Sequence, residues 1–296
     1  MSAARPLVRL YTPPFPRMQS PIDADCPGCV YTDDRGRLGE AAAVLFHIPT
    51  LGGTDMPPKR PGQRWVAWSM ESDVHYPVLA DPDFMRRFDV TMTYRRDSTV
   101  WCPYFGPGTD AAVLAPPRPK TERSPAVYFQ SSRFDRSGRV AYVAALMRRV
   151  KVDSYGAVLH NRDLPGPDRG RDSLMDIVAR YKFTLVFENS IAEDYVTDKL
   201  FDALAAGSVP VYLGAPNAAD YLPAERCAID VRAFSGPAEL AEYLNWLDAH
   251  DDAYREYLAW KTRGLSARFA SLVESLRGPA FCRLCDHLRG VRRPAP

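Results

Sequence analysis

Short apolar runs alternate with polar stretches rich in glycine and proline along most of the chain. The runs at 7–11 (LVRLY), 41–47 (AAAVLFH), 65–68 (WVAW), 88–94 (FDVTMTY), 126–129 (AVYF), 183–187 (FTLVF) and 208–213 (SVPVYL) are rich in aromatic and β-branched residues and read as strands. A second period, near 3.6, appears between and after them. Arg139, Tyr142, Val143, Leu146 and Val150 share one helical face, as do Val196, Leu200, Ala203, Leu204 and Gly207. Leu240, Tyr243, Leu244, Leu247, Tyr254, Tyr257, Leu258 and Trp260 form one or two amphipathic helices, which Pro237 opens at a position where its missing N–H costs nothing. Strand–helix–strand alternation of this kind predicts an α/β protein with parallel sheets.

The most informative stretch is 181–214, YKFTLVFENSIAEDYVTDKLFDALAAGSVPVYLG. It reads as a strand, an abruptly polar loop, a helix with Thr197 or Asp194 as N-cap and Gly207 as C-cap, and a second strand. Ligands of open α/β sheets bind beyond the carboxyl ends of strands, and a helix N-terminus there favours anions. This loop offers Glu188, Asn189, Tyr195 and Asp198, and Lys199 sits in the first helical turn. A lysine at that end opposes the helix dipole, a conflict that a bound diphosphate resolves. The alternative is a surface pairing of Lys199 with Asp194, Asp198 or Asp202, and spacing alone leaves the two readings level.

Composition narrows the classes. The chain has 296 residues, 46% hydrophobic and 25% charged, enough for two domains, and its net charge of +2 argues against a nucleic-acid binder. The basic cluster at 289–293 reads as a solvated end. No apolar run approaches a membrane span, and the first residues are not a secretory signal. Four of the six cysteines form two C-x-x-C motifs, Cys26/Cys29 and Cys282/Cys285, far apart in sequence. Disulfides, a zinc site and free thiols all stay open. The proline-rich 114–120 segment is the candidate interdomain linker.

The stretch FENS-x-x-x-DYVTDKL with AGSVPVYLG resembles the donor-binding signature of the α-1,3-fucosyltransferases, glycosyltransferase family 10, and the likeness extends over nearly the whole chain. The resemblance implies a GT-B fold of two Rossmann-like domains facing a central cleft, an acceptor-side domain at 1–118 and a GDP-fucose-binding domain at 119–296 whose tail crosses back. It implies inverting transfer of fucose from GDP-β-L-fucose to a glycan or glycoprotein acceptor. WSMES places Glu71 as the catalytic base, which suits a single displacement, since a carboxylate must take the proton of the attacking hydroxyl. Arg139 would bind the diphosphate with Lys199, a planar bidentate cation suiting that task. Glu188, Asn189, Tyr195, Asp198 and Lys199 would hold the donor, and Tyr181 and Phe187 would frame the guanine. Asp198 stands where the family usually has Glu, one methylene longer, and Ser131-Ser132 replaces the usual Ser-Asn.

The resemblance further implies that no cofactor is required, with weak stimulation by manganese compatible. WSMES, PKTE, VDSYG, HNRD and CRLC are similar to plant-type core α-1,3-fucosyltransferases, in which the terminal C-x-x-C is disulfide-bonded. They point to the innermost GlcNAc of an N-glycan, ahead of a LacNAc-type acceptor and of a protein hydroxyl. The family also places acceptor contacts around RRDSTVW, with His75 either such a contact or a neutral loop histidine. Eukaryotic members are type II Golgi proteins with an N-terminal anchor, so the chain is expected to be either a bacterial-type enzyme or a catalytic region apart from its anchor. Two rival classes stand beside this reading: a GT-B enzyme with another nucleotide sugar, and a non-catalytic sugar or nucleotide binder.

Overall fold

The computed structural model describes residues 5–16, 18, 20–53 and 56–291. The basic cluster at 289–293 therefore lies partly outside the described residues. The chain divides into two compact units, residues 1–106 with 274–296, and residues 107–273.

The first unit holds β1 (Leu7–Thr12), β2 (Val30–Thr32), β3 (Ala43–His47), β4 (Arg64–Ser69), β5 (Val90–Thr93) and β6 (Val100–Trp101). They form one sheet in the order β2-β1-β3-β4-β5-β6, every neighbouring pair parallel. Strand residues alternate between faces, and both faces are covered. Ala43, Leu45, Val66 and Trp68 belong to one core, Val44, Phe46, Trp65 and Ala67 to the other. This is why the strands read as apolar runs rather than as alternating patterns.

The first of these cores is closed by the helix Ala280–Leu288, which contributes Phe281, Leu284 and Cys285. Arg283 donates to Trp101 O at 2.7 Å, and Tyr31 Oη donates to Phe281 O at 2.6 Å. Disulfides join Cys26 to Cys282 and Cys29 to Cys285, so each C-x-x-C is bonded to the other and not within itself. Cys282 and Cys285, three residues apart on a helix, present their sulfurs on one side. Cys102 and Cys227 are buried free thiols.

The second unit holds β7 (Ala126–Tyr128), β8 (Val152–Ser154), β9 (Phe183–Phe187), β10 (Val209–Leu213) and β11 (Ile229–Asp230), in the order β11-β10-β9-β7-β8 and again all parallel. From β7 the chain steps to β8 on one side and then returns to β9 on the other. The strand order thus reverses between β7 and β9, and the crevice outside the carboxyl ends of two such strands is where open α/β sheets bind ligands. The helices that follow them are Arg139–Leu146 and Asp198–Ala206. Gly207 ends the latter in the left-handed region, φ 71°, as its sequence position predicts.

One expectation changes. The 114–120 segment is part of the second unit, and the division falls at Gly106 and Pro107. Two lysines hold the segment there: Lys261 Nζ donates to Ala115 O at 3.0 Å, and Lys120 Nζ donates to Ala179 O and Gly207 O at 2.9 and 2.7 Å. The HNRD stretch covers a sheet edge. Asn161 donates to Val152 O at 2.9 Å and accepts from Ser154 N at 2.8 Å, standing in for a missing neighbour along the edge strand β8. Among the described residues, no helix is long and apolar enough to cross a membrane.

Candidate active site

The loop after β9 is built around a buried carboxylate. Glu188 is 0% exposed. Its Oε1 accepts from Thr197 N at 2.8 Å, and its Oε2 accepts from Thr197 Oγ1 at 2.9 Å and Lys199 Nζ at 3.2 Å. Lys199 Nζ also donates to Thr197 Oγ1 at 2.8 Å. The carboxylate is thereby an anion at the N-terminus of the Asp198–Ala206 helix, where the dipole and free N–H groups favour one. Burial opposes the charge on Lys199, but Glu188 and Asp198 more than offset it, and the ammonium is held above the ordinary lysine range despite Arg139. The side chain of Lys199 is 37% exposed as a whole, while its Nζ rests on the buried Glu188 and Thr197.

Lys199 therefore pairs with Glu188, not with Asp194 or Asp202. Asp194 accepts from Asn217 Nδ2 and Tyr221 Oη at 2.8 and 2.6 Å, and Asp202 is taken by Arg171. Thr197 occupies the N-cap position, but its hydroxyl serves Glu188 and Lys199 rather than the helix N–H groups.

The loop after β7 is latched to the first. Arg136 N donates to Asn189 O at 2.7 Å and Ser137 Oγ donates to Glu188 O at 2.6 Å. Asp135 accepts from Gly138 N, Arg139 N and Val140 N at 2.8, 3.1 and 3.1 Å. Burial works against its charge, yet these three N–H groups and Arg139 hold its carboxyl below the usual range. Arg139 itself is 2% exposed. Its Nη1 donates to Phe187 O at 3.0 Å and its Nη2 to Phe134 O at 2.8 Å, so one guanidinium bridges the ends of the two loops. Its buried Nε has no protein partner.

The switch point thus gathers Arg139, Glu188, Asn189, Asp198 and Lys199. Asp198 is exposed and Asn189 half-buried, while Tyr195, on the same loop, is 2% exposed. Tyr181 and Phe187, expected to frame a base, lie in the two cores of the second sheet and are 0% and 1% exposed. Buried on both faces, they have no ring face to offer a ligand. Thr197 is the group that sequence reasoning missed; its position two residues before a lysine at a helix start was the available signal.

Glu71 follows β4 in the first unit and is half-buried, in a turn closed by Glu71 N donating to Ser69 Oγ at 3.1 Å and Ser69 Oγ donating to Glu71 O at 2.9 Å. Burial first and the charge of Glu71 second push the Tyr76 phenol up. Near it, within the same unit, a cavity of about 460 Å³ is lined by Asp73, Thr91, Thr93, Arg95, Asp97 and Ser98 among others. Arg95 forks Asp97 at 3.1 and 3.0 Å, which places the expected RRDSTVW segment on this wall. His75 is half-buried in the turn that precedes it.

Comparison with known proteins agrees on one family. Residues 119–294 match the family described as glycosyltransferase family 10 (fucosyltransferase) C-term, and residues 3–105 match the fucosyltransferase N-terminal family. A putative fucosyltransferase-like protein of Arabidopsis thaliana is 35% identical over 262 residues, covering 88% of this chain and 47% of that protein. GDP-fucose protein O-fucosyltransferase 3 of Xenopus tropicalis is 35% identical over 253 residues, covering 80% and 54%. The human protein of that name is 34% identical, covering 80% and 53%. The chain spans about half the length of the curated relatives it matches. Among solved structures, an α1,3-fucosyltransferase superposes with a TM-score of 0.58 at 16% identity, covering 100% of this chain and 92% of that one. Another, solved with GDP-fucose, gives 0.53 at 15%, covering 96% and 92%. These likenesses show the fold, GT-B with two Rossmann-like units.

Proposed function

The chain belongs to glycosyltransferase family 10, the fucosyltransferases, and on that premise we propose that it transfers L-fucose from GDP-β-L-fucose to an acceptor hydroxyl with inversion. The observation that carries the reading is the charged lysine standing on a buried carboxylate at a helix N-terminus, at the switch point of a parallel sheet. Glu71 takes the acceptor proton as the acceptor oxygen bonds to the anomeric carbon. The bond from that carbon to the phosphate oxygen breaks, and its electron pair leaves with GDP. Lys199 and the first turn of its helix meet the charge that develops on the diphosphate. Arg139 adds its field from behind the loop and holds the two loop ends together. Asn189 and Asp198 orient the donor hydroxyls, and Tyr195 shapes the loop from within. With the leaving charge met in this way, no resident metal is required.

The acceptor reading favoured here is a protein hydroxyl. It is supported by relatives named GDP-fucose protein O-fucosyltransferase 3 at 34–35% identity. The C3 hydroxyl of GlcNAc is the second reading, supported by the likeness in fold to α1,3-fucosyltransferases at 15–16% identity. Mass spectrometry of reactions given a folded glycoprotein, its deglycosylated form and a core N-glycan glycopeptide separates them. Fucose on serine or threonine of the deglycosylated protein supports the first. Fucose released only with the glycan rejects it in favour of the second.

A further inference from the structure

The sequence places Glu188 among the groups that touch the donor. A fully buried side chain has no surface to do so, and each of its carboxylate oxygens is engaged within the loop. Gly214 closes the remaining side: a Cβ there would come within 2.6 Å of Glu188 Cγ and 2.4 Å of Tyr212 Oη. The carboxylate also cannot leave its pocket cheaply, because Glu188 N donates to Leu213 O at 2.7 Å and Glu188 O accepts from Ser137.

Resting on the donor reading above, we propose that Glu188 is a positioning residue that acts through Lys199, holding the ammonium in place and in its charged form, with Thr197 as the hydroxyl that completes the fork. A buried carboxylate without a cation is costly, and so is a desolvated ammonium without a counter-charge. The pair resolves both, and it fixes the ammonium of Lys199 on a rigid base rather than leaving its place to a flexible four-carbon stem. The groups facing Lys199 are Glu188 at the end of β9, Asp198 and Asp202 on its own helix, and Arg139 on the neighbouring one. Asp202 is already committed to Arg171 at 3.0 Å, and Arg139 repels the ammonium. Removing the charge of Glu188 therefore leaves Asp198 alone against burial and Arg139, and the lysine loses its proton at lower pH.

The test compares Glu188→Gln, an isosteric change, with wild type and Lys199→Ala, measuring GDP affinity by calorimetry and kcat/KM for GDP-fucose from pH 6 to 9. Circular dichroism confirms folding of each variant. Wild type is expected to hold its GDP affinity to the top of this range. Glu188→Gln is expected to bind GDP near neutral pH and to lose roughly tenfold for each unit of pH above the lowered lysine pKa. Thr197→Ser should retain the wild-type profile, and Thr197→Val should weaken GDP binding at all pH values. A loss in Glu188→Gln that is uniform across pH, or no loss, overturns the proposal while leaving the donor reading standing. Wild-type protein that binds no GDP overturns the donor reading itself.

Discussion

At the residue scale, one buried acid organises the second unit's site. Glu188 looked like a donor contact because it is the first polar residue after an apolar strand, the usual place for a ligand group. Its burial was not legible, since its partners lie nine and eleven residues on, across a loop whose course sequence does not give. Lys199, Asn189 and Asp198 were singled out by their place after an apolar strand and at a helix start, where the structure gathers them, but spacing alone left the partner of Lys199 open. The close packing around Glu188 gives a stability prediction. Gly214→Ala forces its Cβ against Tyr212 and Glu188 and is expected to cost about 1–3 kcal/mol. Thermal unfolding checks it, and a midpoint unchanged from wild type would contradict this packing.

At the element scale, the helix Arg139–Leu146 depends on Asp135, whose carboxylate accepts from three successive N–H groups at its start. Asp135→Ala should destabilise by about 1 kcal/mol, the usual worth of such a cap. It should also weaken donor binding, because the same turn carries the latch to Asn189. The pH dependence follows from the sign of the shift. Asp135 and Asp153 are both held below the ordinary aspartate value, 3.8, so in each case burial is outweighed by hydrogen bonds and nearby cations. Their contribution is present above the unfolded value and is lost as pH falls through the lower folded one. Unfolding midpoints between pH 6 and pH 2 should therefore drop mainly below about pH 4, and less steeply in Asp135→Asn. Of the strands, β1, β3, β4, β5, β7, β9 and β10 were legible as apolar runs, whereas β2, β6, β8 and β11, two or three residues each and outside any such run, were not.

At the scale of the whole chain, the first unit is closed by its own far end. The two disulfides each span a sequence separation of 256 residues. In the chain-entropy account a single link of that span is worth about 5 kcal/mol, and a second, three residues along, adds little to a loop already closed. Cys29→Ser with Cys285→Ser should lower the unfolding midpoint slightly, and replacement of all four cysteines should lower it by much more than twice that amount. Equal, additive steps would contradict the account of two parallel links. The two-unit organisation and the return of the tail were legible through the family resemblance, whereas the pairing across the two C-x-x-C motifs was not. The proline-rich linker was misplaced because proline marks stiffness, while the boundary depends on the carbonyls that Lys120 and Lys261 grip.

The reaction proposed for this protein is fucosyl transfer from GDP-fucose with Glu71 as base and Lys199 on the leaving group. The most direct measurement is GDP release from GDP-fucose in the presence of a protein and a GlcNAc-terminated acceptor, with GDP-mannose and UDP-galactose as controls, with and without EDTA. Expected is acceptor-dependent release from GDP-fucose alone, unaffected by EDTA. It should fall by about 100- to 1,000-fold in Lys199→Ala, the scale of removing one preorganised charge partner, and be lost in Glu71→Gln. Comparable turnover of another donor, or full activity in Glu71→Gln, would contradict it.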